Sequence, residues 1–142
     1  MDKIAAGIAA AAERLSDGPD AVTAVARGIM TTDTVPKIRS RKITIGDQEV
    51  SIVGVAKGAA MIGPNMATML AVVMTDAMLT PDDSQAALSE AVLESFNCIS
   101  VDGHTSTNDT VLLLANGAAA PAPLSGHDLA CFRATLVEVC ED

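Results

Sequence analysis

Aromatic side chains are nearly missing from this chain, which has two Phe and no Trp or Tyr among 142 residues. That removes the stacking platforms of single-strand binders and the usual anchors of interface hot spots. Basic charge is also short. Nine Lys and Arg stand against eighteen Asp and Glu, a formal charge of −9, so nothing grips phosphate backbones or anionic membrane surfaces electrostatically. No apolar run reaches the ~18 residues of a membrane-spanning helix. Cys98, Cys131 and Cys140 form an odd set without CxxC spacing, which argues against a disulfide framework and against a zinc knuckle. Residues 4–12 are apolar but are closed by Glu13 and Arg14, unlike the plan of a secretory signal. The expectation is a cytoplasmic protein with reduced thiols and with neither nucleic acid nor membrane as partner.

Hydrophobic residues make up 49% of the chain and charged ones 19%, too apolar for intrinsic disorder. The length suits a single domain. With so few aromatics, Ala, Val, Leu, Ile and Met must build the core from many small buried areas.

Periodicity predicts mixed α and β structure without a repeat. Residues 3–15 read as an Ala-rich helix stopped at Ser16-Asp17-Gly18-Pro19, and Asp20 is a cap candidate for a short helix through Arg27. Residues 38–55 read as a hairpin around Gly46-Asp47. Residues 57–67 lack a steady period and read as a loop, while the apolar run from Thr68 reads as a strand buried on both faces. Thr80-Pro81-Asp82-Asp83 marks a helix start, residues 111–114 a short strand, and residues 127–140 a last helix.

Several polar residues invite functional readings that their surroundings do not support. His104 and His127 lack the convergent partners of a metal site or a triad and read as solvated loop histidines. The cysteines read as packing residues, since no cationic cluster lies near them to lower a thiol pKa. Residues 102–108 alternate polar side chains like the start of a calcium loop, but the twelfth position is Leu113 where a bidentate Glu is required. Around Lys57 the GxxxxGK[ST] spacing is absent, and a strand-end Lys reads first as an exposed charge.

Three segments change that reading. KGAAMIGPNMATML (57–70), IMTTDTVPK (29–37) and DGHTSTNDT (102–110) occur in the order seen in the ornithine acetyltransferases, or glutamate N-acetyltransferases, of arginine biosynthesis, and the chain resembles that family. The resemblance implies a chain that cuts itself between Ala67 and Thr68, so that Thr68 becomes the first residue of a β subunit and the catalytic nucleophile. Residues 1–67 would then close the α chain and residues 68–142 open the β chain. The chemistry is self-consistent. A threonine hydroxyl needs a base, and the α-amine freed by the cut, with a reference pKa of about 7.7–8.0, can serve within the same residue.

By the same resemblance Thr31, Lys57 and Thr68 contact the amino-acid substrate, with the Lys57 ammonium suited to a carboxylate. Thr32, Asp33 and the 102–110 segment would support or line the site. The acetyl group would pass from N-acetylornithine to glutamate, in some members also from acetyl-CoA, with no metal or organic cofactor. The implied fold is α+β, an αββα-type sandwich of the ornithine acetyltransferase or DmpA-like kind, present here as a single partial domain over residues 1–142. The implied assembly is an α2β2 heterotetramer.

Only the middle of the family's length is resembled. The Thr-Gly pair of the oxyanion hole, a substrate-binding Glu and a polar C-terminal pair have no counterpart, and without oxyanion donors acyl transfer loses typically about 10²–10³-fold. Ala60 stands where the family often has Gly, an expected hindrance to a tight backbone, and His104 where an acid is common. Two other readings therefore remain open: an amino-terminal-threonine hydrolase of aminopeptidase type, and an inactive fragment.

Overall fold

The computed structural model describes residues 2–18, 20–63, 66–67, 69–104 and 108–142. Helices α1 (Asp2–Ala12) and α2 (Ala21–Gly28) lead into the hairpin β1 (Lys37–Ile45) and β2 (Gln48–Lys57). Two short strands, β3 (Ile62–Gly63) and β4 (Met66–Ala67), precede β5 (Leu70–Thr75). Helix α3 (Pro81–Glu94), a 3-10 turn at Phe96–Cys98, β6 (Thr110–Ala115) and α4 (Gly126–Glu141) complete the chain. The main sheet has the order β1-β2-β5-β6, antiparallel except for the parallel β5-β6 pair, which α3 connects. The fold is thus α+β, a mixed four-stranded sheet flanked by helices.

Local chemistry explains the edges of these elements. Gly46 takes φ 59° while Asp47 does not enter the left-handed region, so the two-residue turn between Ile45 and Gln48 is of the II′ kind that matches strand twist. The Thr80 hydroxyl accepts from the Asp83 amide at 3.1 Å and donates to the Asp83 carboxylate at 2.7 Å, with Pro81 in the first helical turn. Asp20 sits at the start of α2 in helical geometry and its side chain caps nothing, a departure from the cap expected there.

Packing is uneven between the two faces of the sheet. Val50, Ile52, Val73, Phe132, Leu136 and Val139 belong to the core that β2, β5 and α4 share with α3. Phe132, Ile52, Leu136 and Val50 are the largest fully buried side chains, each worth about 1.5–3 kcal/mol by area. Strand β5 was expected to be buried on both faces, yet its burial alternates, with Ala71, Val73 and Thr75 buried and Leu70, Val72 and Met74 only half-buried. Alternation puts Val72 and Met74 on the far face with their partners Leu112 and Leu114, which are 45% and 54% exposed. Helix α2 packs on β1 and β2, but an apolar stripe across β5 and β6 stays uncovered. None of the residues of α1 is buried.

Candidate active site

Residues 29–37 run from α2 into β1, and Asp33 is their fixed point. Its side chain is 1% exposed. Oδ1 accepts from Lys37 Nζ at 2.5 Å and from the Gly58 amide at 2.7 Å, and Oδ2 receives a longer 3.4 Å contact from the Thr31 amide. Burial pushes the Asp33 carboxyl up, but the Lys37 ammonium and the Gly58 and Thr31 amides together outweigh it and bring it down to about 2. One carboxylate therefore ties the backbone of Thr31 to the residue that follows Lys57.

Lys57 ends β2 and pairs with Leu70, the first residue of β5. It is half-buried, and among the described residues its ammonium enters no ion pair or side-chain hydrogen bond.

Beyond Gly58 the chain was expected to be a loop up to residue 67. Instead β3 and β4 pair antiparallel, Ile62 with Ala67 and Gly63 with Met66. Met61, just before β3, has φ 58°, a left-handed conformation that strains a residue with a side chain. Ala60, where a tight backbone was expected to suffer from the lack of glycine, is not in that region; the positive φ falls on Met61.

The other side of this small hairpin is held from downstream. Asp102 Oδ2 accepts from the Met61 amide at 2.8 Å, and Oδ1 accepts from the amides of Ile62 and His104 at 3.1 Å each. The Met61 amide first, then that of His104, hold the Asp102 carboxyl below its ordinary range against a small effect of burial, with Ile62 assisting. The Val101 amide donates to the Ile62 carbonyl at 2.9 Å. Gly63 lies so close to this turn that a Cβ there would stand 3.2 Å from the His104 carbonyl oxygen. A little further on, the Thr110 amide donates to the Met69 carbonyl at 3.3 Å.

A cavity of about 360 Å³ opens between these parts, lined among others by Thr34, Lys57, Gly58, Ile62, Met69 and Val101. Residues from before and after the Ala67/Thr68 junction thus face one space. Thr68 itself lies outside the described residues, as do Pro64, Asn65 and residues 105–107 of the polar segment. Of the other residues assigned to the site by sequence, Thr31 and Thr32 are exposed, and Ala67 is placed by its backbone in β4.

The remaining candidates behave more plainly. His104 is an exposed turn residue, whereas His127 is not in a loop but in the first turn of α4, 3.5 Å from Cys131 Sγ. Cys140 is buried, and burial pushes its thiol up to about 11, away from reactivity. Cys98 is exposed, so packing does not account for it. Among the described residues no cluster of His, Cys, Asp and Glu could hold a metal ion, and no helix is long and apolar enough to cross a membrane. The resemblance implied a supporting or lining role for residues 102–110, but not the bonds from Asp102 to the Met61 and Ile62 amides. Their one local signal was Asp102-Gly103, a turn pair in which Gly103 takes φ 71°.

Comparison with known proteins gives a consistent picture. The model of the ArgJ family matches residues 1–142. An arginine biosynthesis bifunctional protein ArgJ from Rhodopirellula baltica is 52% identical over 117 residues, 82% of this chain and 28% of that protein. The protein of the same name from Thermotoga neapolitana is 48% identical over 124 residues, 87% of this chain and 30% of its own. A mitochondrial one from Neosartorya fischeri is 51% identical over 128 residues, covering 88% and 28%. The chain therefore spans less than a third of the length of the curated relatives it matches. The crystal structure of the PH0078 protein from Pyrococcus horikoshii OT3 overlaps 75% of this chain and 38% of its own at 12% identity and a TM-score of 0.40, too slight a likeness to build on.

Proposed function

The chain belongs to the ArgJ family, and from that premise we propose that it is the nucleophile-bearing part of a self-cleaving N-acetyltransferase of arginine biosynthesis. The observation that supports this most is the cavity shared by Lys57 and Met69, on either side of the Ala67/Thr68 junction, with Asp33 tying Thr31 to its wall.

In this reading the Thr68 hydroxyl attacks the Ala67 carbonyl. The new C–O bond replaces the C–N bond, and the hydroxyl proton ends on the released amine. Water then hydrolyses the ester, leaving an Ala67 carboxylate and a free Thr68 hydroxyl. The Thr68 α-amine next takes the proton of that hydroxyl as it attacks the acetyl carbonyl of N-acetylornithine, and ornithine departs with its amine protonated. Glutamate's amine finally attacks the acetyl ester, forming N-acetylglutamate and restoring the hydroxyl. Lys57 holds the carboxylate of each amino acid in turn, so donor and acceptor use one site.

The uncovered stripe of Val72, Met74, Leu112 and Leu114 favours a second reading beside it. A sheet with an apolar stripe bare at its β5-β6 end fits the αββα sandwich only when another layer covers it. On that reading the chain needs the remaining segments of its relatives to be active, and the α2β2 assembly belongs to the complete molecule.

Intact mass spectrometry followed by transfer of a labelled acetyl group from N-acetylornithine separates the outcomes. Two pieces meeting at Ala67/Thr68, with label on glutamate, support the acetyltransferase. Label released as free acetate without transfer supports the hydrolase. A single uncut mass supports the dependent fragment.

A further inference from the structure

From the bonds around β3 we infer that Asp102 is a positioning residue that clamps the hairpin carrying the Ala67/Thr68 junction, an inference that rests on the self-cleavage reading for its catalytic consequence. Three backbone amides converge on this one side chain, those of Met61, Ile62 and His104. Met61 is the residue whose positive φ turns the chain into β3. A strained conformation of this kind persists only where the surroundings over-determine it, and the 2.8 Å bond to Asp102 is the constraint that the structure provides.

The next residue transmits the effect. Ile62 is held on both sides, its amide by Asp102 and its carbonyl by the Val101 amide, and it is the register partner of Ala67. The backbone whose carbonyl is to be attacked is therefore fixed through one strand pair to the turn at residues 101–104. Among the described residues Asp102 bonds to backbone amides, those of Met61, Ile62 and His104, so its part is to position. It narrows the range of geometries in which the junction is presented, and small misplacements of reacting groups are expensive in rate. Once the chain is cut, the same bonds join the end of the upstream piece to the downstream piece.

Asp102→Asn tests this directly. The amide oxygen can still accept from Ile62 and His104, but its NH2 group faces the Met61 amide donor to donor. The expected result is cutting slowed by about tenfold or more, with faster hydrogen exchange at Met61 and Ile62 and unchanged exchange in β1 and β2. Adding Met61→Gly, which adopts positive φ without strain, restores much of the rate. Exchange in β1 and β2, unchanged in both variants, separates this local repair from a gain in overall stability. Wild-type cutting and exchange in Asp102→Asn overturn the clamp, and so does a double variant no faster than the single one.

If Asp102→Asn loosens the whole sheet, Gly63→Ala decides, because its Cβ crowds β3 against the backbone of Gly103 and His104 while the Asp102 carboxylate is kept. Slower cutting there supports the clamp and an unchanged rate overturns it. A wild-type chain that does not cut supports the dependent-fragment reading instead. In that case exchange at Met61 and Ile62 still judges the clamp, supported if Asp102→Asn raises it and overturned if it does not.

Discussion

The Asp33 carboxylate accepts the Gly58 amide at 2.7 Å across 25 residues of chain, and this bond holds the Thr31 segment against the end of β2. Asp33→Ala leaves that amide half-buried without its partner and strands the Lys37 ammonium. Unfolding in denaturant should show a loss of about 1–3 kcal/mol. The pH dependence follows from the sign of the shift. A carboxyl lowered from 3.8 to about 2 on folding adds stability that is complete above the higher value and disappears as pH falls through the lower one. Acid titration of the wild type should show this increment fading between those values, and Asp33→Ala should lack it.

Thr68→Ala should leave an uncut chain without acetyl transfer, and Thr68→Ser should still cut, since it keeps a hydroxyl at the same place. Cys98→Ser should cut like the wild type. Efficient cutting of Thr68→Ala, read by intact mass, refutes the nucleophile assignment.

Lys57→Met keeps the length and apolar stem of the side chain but removes its charge. It should leave cutting intact while raising KM for glutamate and for N-acetylornithine alike by about tenfold or more, the range of a lost charge-assisted bond. Steady-state kinetics with each substrate varied would check this, and a change confined to kcat would count against carboxylate binding.

Phe132→Ala should destabilise the fold by about 3–5 kcal/mol, because the ring is fully buried in the core between the sheet and α3. Chemical denaturation gives the value. A loss under about 1 kcal/mol would mean that the core rearranges to fill the cavity.

Leu112→Lys with Leu114→Lys should reduce self-association of the isolated chain with little change in its melting temperature. Both side chains stand on the bare face of β6 and support no core. Size-exclusion chromatography and thermal melting together test it, and a large drop in Tm would show that the stripe is already covered in solution.

Short-range chemistry explains why some of this was legible in advance. Thr80-Pro81 started α3 and Gly46-Asp47 turned the hairpin, because a cap or a two-residue turn is decided by neighbours in the chain. The loop expected at 57–67 was half wrong for the same reason. Strands β3 and β4 are too short to show a period, and the turn at 101–104 that holds β3 comes forty residues later. Burial on one face of β5 was equally hidden, since an apolar run reads alike whether its second face is packed or bare.

The sequence by itself determined the family, through three ordered motifs, and with it the candidate junction at Ala67/Thr68. It also determined the reach of local elements and the net acidic charge. Only the tertiary structure decided that Asp33 and Asp102 grip the two ends of the same short segment, at Gly58 and at Met61 and Ile62. Those bonds join residues 25 to 41 positions apart, and such pairings depend on how the sheet and its connections close in space, which no local propensity encodes.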